Sequence, residues 1–174
     1  MKPQWLDRLA WAAALALPVA FASSGPPLGG APSSPGVVAS AAQNGPRTVW
    51  DGVYTGEQAK RGEDAYKLSC GYCHRDDLAG GFFDDGTGRA PALAGVRAFD
   101  SSFSERWSGR SVGEMLTEIG SIMPLDAPGS LTLPVYTDII AYLLSKNDAP
   151  AGPSELPPDI EALGQIRIGP KPAR

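Results

Sequence analysis

Apolar residues recur at helical spacing in the stretch that follows Thr55. Ala59, Gly62 and Tyr66 fall at i, i+3 and i+7 on one helix face. Thr55 with Gln58 three residues later is typical of a capping box at a helix start, and the helix is predicted to run to the first cysteine of the chain. A glycine inside a helix costs about 1 kcal/mol relative to alanine. Gly62 therefore indicates a close crossing with another helix.

The partner for that crossing is predicted near the other end of the chain, in the sequence LPVYTDIIAYLLSKN. Val135, Ile139, Tyr142 and Leu143 lie at i, i+4, i+7 and i+8, which is the spacing of a core-facing stripe. Thr132 is a candidate N-cap, and a proline in the first turn fits a helix start.

A third helix is marked by the sequence SVGE, in which Ser111 and Glu114 form another capping box. Met115 lies on its apolar side, and Gly120 ends the pattern. A short helical turn is predicted around residues 102–107. No stretch alternates apolar and polar residues as a half-buried strand does. The sequence therefore predicts an all-α fold.

The first 47 residues are predicted to lie outside the folded domain. Two basic residues are followed by a 14-residue apolar run, LAWAAALALPVAFA. This run is short for a membrane span, which needs roughly 20 residues, and it ends in an A-x-A cleavage site. Residues 1–22 are predicted to be a signal peptide, with an uncleaved membrane anchor as the alternative. Residues 23–47 then form a flexible linker, 48–147 the domain, and 148–174 an extended proline-rich tail.

The predicted signal peptide and the net charge indicate where the protein acts and which partners are disfavoured. A signal peptide predicts a periplasmic location in a bacterial cell, or attachment to the periplasmic face of the inner membrane if the segment is retained. The net charge of −4 disfavours a nucleic-acid partner, because nucleic-acid binding requires a basic face.

Both cysteines of the chain and its only histidine lie in one pentapeptide, CGYCH. C-x-x-C-H is the attachment sequence for a c-type haem. Cys70 and Cys73 would form thioethers with the two vinyl groups of the ring. His74 would then lie under the iron and supply the proximal imidazole.

The pentapeptide has three other interpretations. A thioredoxin-like redox motif needs a buried strand before it, whereas the residues before Cys70 have a helical pattern. A zinc site needs about four ligands, and the motif supplies three, so a carboxylate would have to join them. A disulfide across two intervening residues is strained.

The second axial ligand is predicted to be Met123. Once the signal peptide is removed, two methionines remain, and Met115 falls in a helical apolar pattern. Met123 instead follows a helix end and precedes Pro124, which restricts its backbone. A thioether favours the reduced iron and raises its potential.

The sequence resembles the class I c-type cytochromes. GEDAYKLSCGYCH, APALAG, SIMP and DIIAYLL occur in family order over about residues 55–145. The resemblance implies a cytochrome c fold, with N- and C-terminal helices crossing around one covalently bound haem c and with His74 and Met123 as axial ligands. The segments TVWDGVYT and MPLDAPGSL are similar to those of cytochromes that serve quinoprotein dehydrogenases.

The resemblance implies further roles around the haem. The carbonyl of Pro91 would accept the Nδ1–H of His74, and Leu93 would pack on the ring. Trp107 would lie near the propionates, with an ordinary core position as the alternative. Three arginines are candidates for pairing with the propionates or, by default, for solvated surface positions: Arg89, Arg97 and Arg110. The sequence departs from the family at Arg75 and in the long loop GGFFDDGTGR.

These features predict a monohaem electron carrier without catalytic residues of its own. Its partners would be a redox donor and an acceptor, such as a quinoprotein dehydrogenase or a terminal oxidase. Two alternatives stay open. If Met123 does not bind the iron, the protein would be a five-coordinate haem sensor or peroxidase. The chain would otherwise be a cytochrome subunit held inside a periplasmic dehydrogenase or oxidase complex.

Overall fold

The computed structural model describes residues 46–95 and 103–173, which form a mostly helical small domain. The elements of these residues, in chain order, are β1 (Arg47–Thr48), α1 (Gly56–Ser69), α2 (Gly71–His74), β2 (Gly81–Phe82), β3 (Arg89–Ala90), α3 (Phe103–Trp107), α4 (Val112–Ile122), α5 (Leu133–Lys146), α6 (Ile160–Gly164) and β4 (Ile166–Arg167). The predicted signal peptide and almost all of the predicted linker lie outside the described residues.

The two long helices, α1 and α5, pack against each other, and Gly62 lies at their closest approach. A β-carbon on Gly62 would overlap the carbonyl group of Asp138 and would lie 3.0 Å from the Cβ of Tyr142. The rings of Tyr66 and Tyr142 pack next to it, with centroids 5.3 Å apart. The predicted crossing at Gly62 is therefore confirmed, since only glycine lets the two backbones come so close.

One of the two predicted capping boxes is complete. Ser111 and Glu114 exchange both hydrogen bonds at the start of α4. At the start of α1, the hydroxyl of Thr55 accepts a bond from the Gln58 amide N–H, as predicted. The side chain of Gln58, however, does not return to Thr55, because it binds the backbone of Leu156 instead.

The prediction of an extended tail after residue 147 is wrong. The chain continues into α6 and β4, and β4 pairs in parallel with β1. The buried apolar residues of this segment are Ala149, Leu156, Leu163, Ile166 and Ile168. They add to the same core as α1, α4 and α5. A high proline content did not prevent packing, because these apolar side chains are spaced between the prolines and reach the core.

The strands are few and short. β1 pairs with β4, and β2 pairs antiparallel with β3, each over two residues. No strand was predicted from the sequence, because pairings of two residues leave no alternating pattern to detect. Arg47, which is the last residue of the predicted linker, belongs to β1. Across the part of the chain that the structure describes, no helix is both long and apolar enough to cross a membrane.

Candidate cofactor-binding site

The pentapeptide CGYCH forms the junction between α1 and α2. The backbone N–H of Cys70 donates to the Tyr66 carbonyl at 2.7 Å, which closes α1. The Cys70 carbonyl accepts bonds from the N–H groups of Cys73 at 3.2 Å and His74 at 2.9 Å, which starts α2. This tight turn places both cysteines and the histidine on the wall of one cavity.

The cavity has a volume of about 770 Å³. This is within the range of roughly 300–1,000 Å³ that is usual for cofactor sites. All the site residues predicted from the sequence line it: Cys70, Cys73, His74, Pro91, Leu93, Trp107 and Met123. Side chains of α4 and α5 complete the apolar wall, among them Met115, Ile119, Ile139 and Leu143. Residues far apart in the sequence therefore meet around one apolar space.

The Nδ1 atom of the His74 ring forms a hydrogen bond with the backbone. Its side chain is 7% exposed, and its Nδ1 lies 3.0 Å from the carbonyl oxygen of Pro91. Because a carbonyl only accepts, Nδ1 carries the proton and Nε2 keeps its lone pair. Burial lowers the pKa of His74, the bond to Pro91 opposes this change, and the positive charge of Arg106 adds to it. A buried neutral imidazole with a fixed tautomer is suited to binding a metal through Nε2.

The backbone after His74 is fixed by two further contacts. The Tyr66 hydroxyl donates to the Arg75 carbonyl at 2.7 Å, and the Gly80 N–H donates to the His74 carbonyl at 2.9 Å. Gly80 has a φ of +60°, and a β-carbon there would overlap the segment that carries Pro91. Glycine at this position thus lets the Pro91 carbonyl come within reach of the imidazole.

The Cys70 thiol lies in an environment that disfavours the thiolate. Burial raises the pKa of Cys70 to about 11, and the neighbouring Cys73 adds to the shift. No disulfide joins the two residues. A reactive redox motif needs a lowered thiol pKa, and α1, not a strand, precedes the first cysteine. Both observations disfavour the hypothesis that Cys70 and Cys73 form a thioredoxin-like redox motif.

The zinc reading also lacks support. Among residues 46–95 and 103–173, no group of three or more His, Cys, Asp and Glu side chains is arranged to hold a metal ion. A structural zinc site needs about four such ligands.

Met123 lies immediately after the last residue of α4. Its N–H donates to the Ile119 carbonyl at 2.9 Å, and its own carbonyl accepts a bond from the Tyr136 hydroxyl at 2.6 Å. The backbone is extended here, with φ −124° and ψ 151°. Met123 thus leaves the helix at the cavity wall, as the sequence predicted for a residue past a helix end.

The sequence predicted that Met115 is a core residue, which is only part of its position in the structure. It is 1% exposed, as expected for a core residue, but it also lines the cavity. The difference between the two methionines is therefore their backbone setting. Met115 lies inside α4, and Met123 lies at its end.

The arginines of the site agree only in part with those proposed. Arg89 lines the cavity, whereas Arg110 binds Glu118 at 2.6 Å and lies over the ring of Trp107 at 4.5 Å. Arg97 lies outside the described residues. Arg106 lines the cavity and was missed. Its position beside Trp107 in the predicted helical turn was the available signal.

Comparison of the chain with protein-family models, with curated proteins and with solved structures found no match. The likeness to class I cytochromes therefore stays a prediction that is based on the motifs. Any function for this site must be argued from its residues and their geometry.

Proposed function

We propose that the protein is a monohaem c-type cytochrome that carries single electrons between exported redox partners. In this proposal α1 and α5 are the crossing helices of a cytochrome c fold. The observation that carries the proposal is that Cys70, Cys73, His74 and Met123 line one cavity of about 770 Å³. These are two thiols at attachment spacing, an imidazole next to them and a thioether from a distant segment.

The residues of the cavity fit a haem in three respects. The volume and the apolar wall suit a large planar ring with polar edges. Thioether bonds to the vinyl groups require two reduced cysteines at attachment spacing, and no disulfide joins Cys70 and Cys73. The Nδ1 of His74 is engaged by Pro91, so Nε2 is the nitrogen left for iron. A bound haem supplies the one-electron couple of Fe(III) and Fe(II).

The chain would control that couple through its own groups. Pro91 fixes the imidazole of His74, and Met123 supplies a soft ligand that favours the reduced iron. Leu93 and Leu143 help to exclude water from the cavity. Arg106 adds a positive charge at its wall.

Electrons would pass through the open side of the cavity. Four large apolar residues that line the cavity are exposed: Leu68 at 89%, Tyr72 at 86%, Leu125 at 62% and Ile122 at 49%. Exposed apolar residues beside a cofactor provide a contact surface for a redox protein. A quinoprotein dehydrogenase and a terminal oxidase are the proposed classes of periplasmic partner, met in solution or within one complex.

A visible spectrum of the haem-loaded protein, with and without carbon monoxide, tests this proposal. We expect a low-spin spectrum in both oxidation states and little change when carbon monoxide is added to the reduced protein. Rapid and complete binding of carbon monoxide would favour the alternative of a five-coordinate sensor or peroxidase.

A further inference from the structure

A tyrosine hydroxyl of α5 binds the backbone of the segment that carries Met123. The Oη of Tyr136 donates to the Met123 carbonyl at 2.6 Å. Tyr136 is 5% exposed and belongs to the hydrophobic core. We propose that Tyr136 is a positioning residue for Met123, which keeps the thioether at the cavity wall. This inference rests on the proposed function, in which Met123 binds the haem iron.

The other backbone hydrogen bonds of Met123 do not fix the position of its carbonyl as the bond from Tyr136 does. The Met123 N–H continues the helical pattern by donating to Ile119 at 2.9 Å. That bond positions the Met123 nitrogen but does not set the direction of the chain after Met123. The carbonyl also accepts a bond from Gly129, at a longer 3.4 Å, which is weak. The short bond from Tyr136 therefore sets where α4 ends relative to α5.

Burying the hydroxyl of Tyr136 removes it from water, which is unfavourable, and a phenylalanine at this position would have no such penalty. A buried tyrosine needs a partner for its O–H, because an unpaired polar group in the core is unfavourable. Gly120 lies close to the ring, since a β-carbon there would be 3.8 Å from Cε2 of Tyr136. The last turn of α4 thus packs on the same ring whose hydroxyl holds Met123.

A purely structural role for Tyr136 can be separated from a positioning role, because the chain offers a matched control. Tyr54 is 3% exposed and donates its hydroxyl to the Ala149 carbonyl at 2.5 Å. It does not line the cavity, and its partner lies after α5. Removing either hydroxyl deletes one buried bond to a carbonyl. Only Tyr136 acts on Met123.

The experiment compares haem-loaded full-length protein with its Tyr136→Phe and Tyr54→Phe variants. Two properties are measured: the association rate of carbon monoxide with the reduced protein, and the denaturant concentration at which the sulfur-to-iron charge-transfer band of the oxidised protein is lost. Carbon monoxide can bind only when Met123 has left the iron, so its rate follows that open fraction. Losing one hydrogen bond can raise the open fraction by up to about tenfold.

We expect Tyr136→Phe to speed carbon monoxide binding and to lose the band well before the protein unfolds. Tyr54→Phe should unfold earlier than the unmutated protein, yet bind carbon monoxide at the unmutated rate. Equal rates in Tyr136→Phe and the unmutated protein, or an equal increase in both variants, would overturn the inference. If the unmutated protein lacks the band, Met123 ligation itself is wrong, and the proposed function fails before the variants are compared.

Discussion

The side-chain amide of Gln58 pairs with both backbone groups of Leu156. The Leu156 N–H donates to Oε1 at 2.8 Å, and Nε2 donates to the Leu156 carbonyl at 3.0 Å. Gln58 is 2% exposed and Leu156 is 1% exposed, so both bonds are shielded from water. This pair joins the segment after residue 147 to the helix that leads into CGYCH.

Replacing Gln58 with alanine should destabilise the protein strongly. The change leaves the N–H and the carbonyl of Leu156 without these partners, and an unsatisfied buried group costs roughly 1–3 kcal/mol. The free energy of unfolding of the haem-loaded protein, from denaturant titration, is the measurement. Lys60→Ala, on an exposed face of α1, is the control and should change it by less than about 0.5 kcal/mol. Equal effects of the two changes would mean that the C-terminal segment does not secure the domain.

Gly62→Ala should weaken the crossing of α1 and α5. The new methyl group would overlap the Asp138 carbonyl, and overpacking of this kind costs about 1–3 kcal/mol. Gly56→Ala is the control, because a β-carbon there meets no atom within 4 Å. Thermal unfolding of the haem-loaded variants should show a lower midpoint for Gly62→Ala only. If the two variants melted alike, the helix pairing would be misplaced.

Met123→Ala should open the iron while the covalent haem stays in place. Loss of the thioether should lower the reduction potential and let the reduced protein bind carbon monoxide. Met115→Ala should instead reduce stability by about 2–5 kcal/mol, since Met115 is 1% exposed. Redox titration and carbon monoxide binding distinguish the two variants. Because both methionines line the cavity, exchanged behaviour would identify Met115 as the ligand.

Arg106→Gln should lower the reduction potential. A positive charge at the cavity wall disfavours the oxidised iron, which carries one more positive charge than the reduced iron. Removing it should shift the potential downward, on the order of 50 mV at low salt, and less at high salt because Arg106 is exposed. Lys171→Gln changes the net charge equally at a residue that does not line the cavity. Equal shifts in both variants would show that only net charge matters.

The sequence predicted the helices and the site better than the boundaries of the domain. α1 and α5 were found from their apolar spacing, and the glycine at their crossing was a direct sign of close backbones. The residues after Asn147 were misread because composition suggested an extended tail, whereas packing depends on where single apolar residues fall. Leu156, for example, is flanked by Glu155 and Pro157 and becomes part of the core only through tertiary contacts.

The parts of the site that the sequence did not predict depend on distances across the fold. No local pattern brings Tyr136 to the carbonyl of Met123, and the position of Arg106 next to Trp107 was the only sequence sign that Arg106 lies at the cavity wall. These contacts arise from how α3, α4 and α5 pack around the cavity. The motif CGYCH, by contrast, is local, because a single turn holds both thiols and the imidazole.

The central claim is that Cys70 and Cys73 hold a haem covalently, and the mass of the intact protein tests it most directly. The full chain is expressed together with a haem-attachment system, extracted with acid-acetone and measured by mass spectrometry. A Cys70→Ser, Cys73→Ser double variant is the control. We predict the mass of the polypeptide plus one haem for the unmutated chain, and the bare polypeptide for the double variant. A bare polypeptide mass for the unmutated chain would contradict the claim.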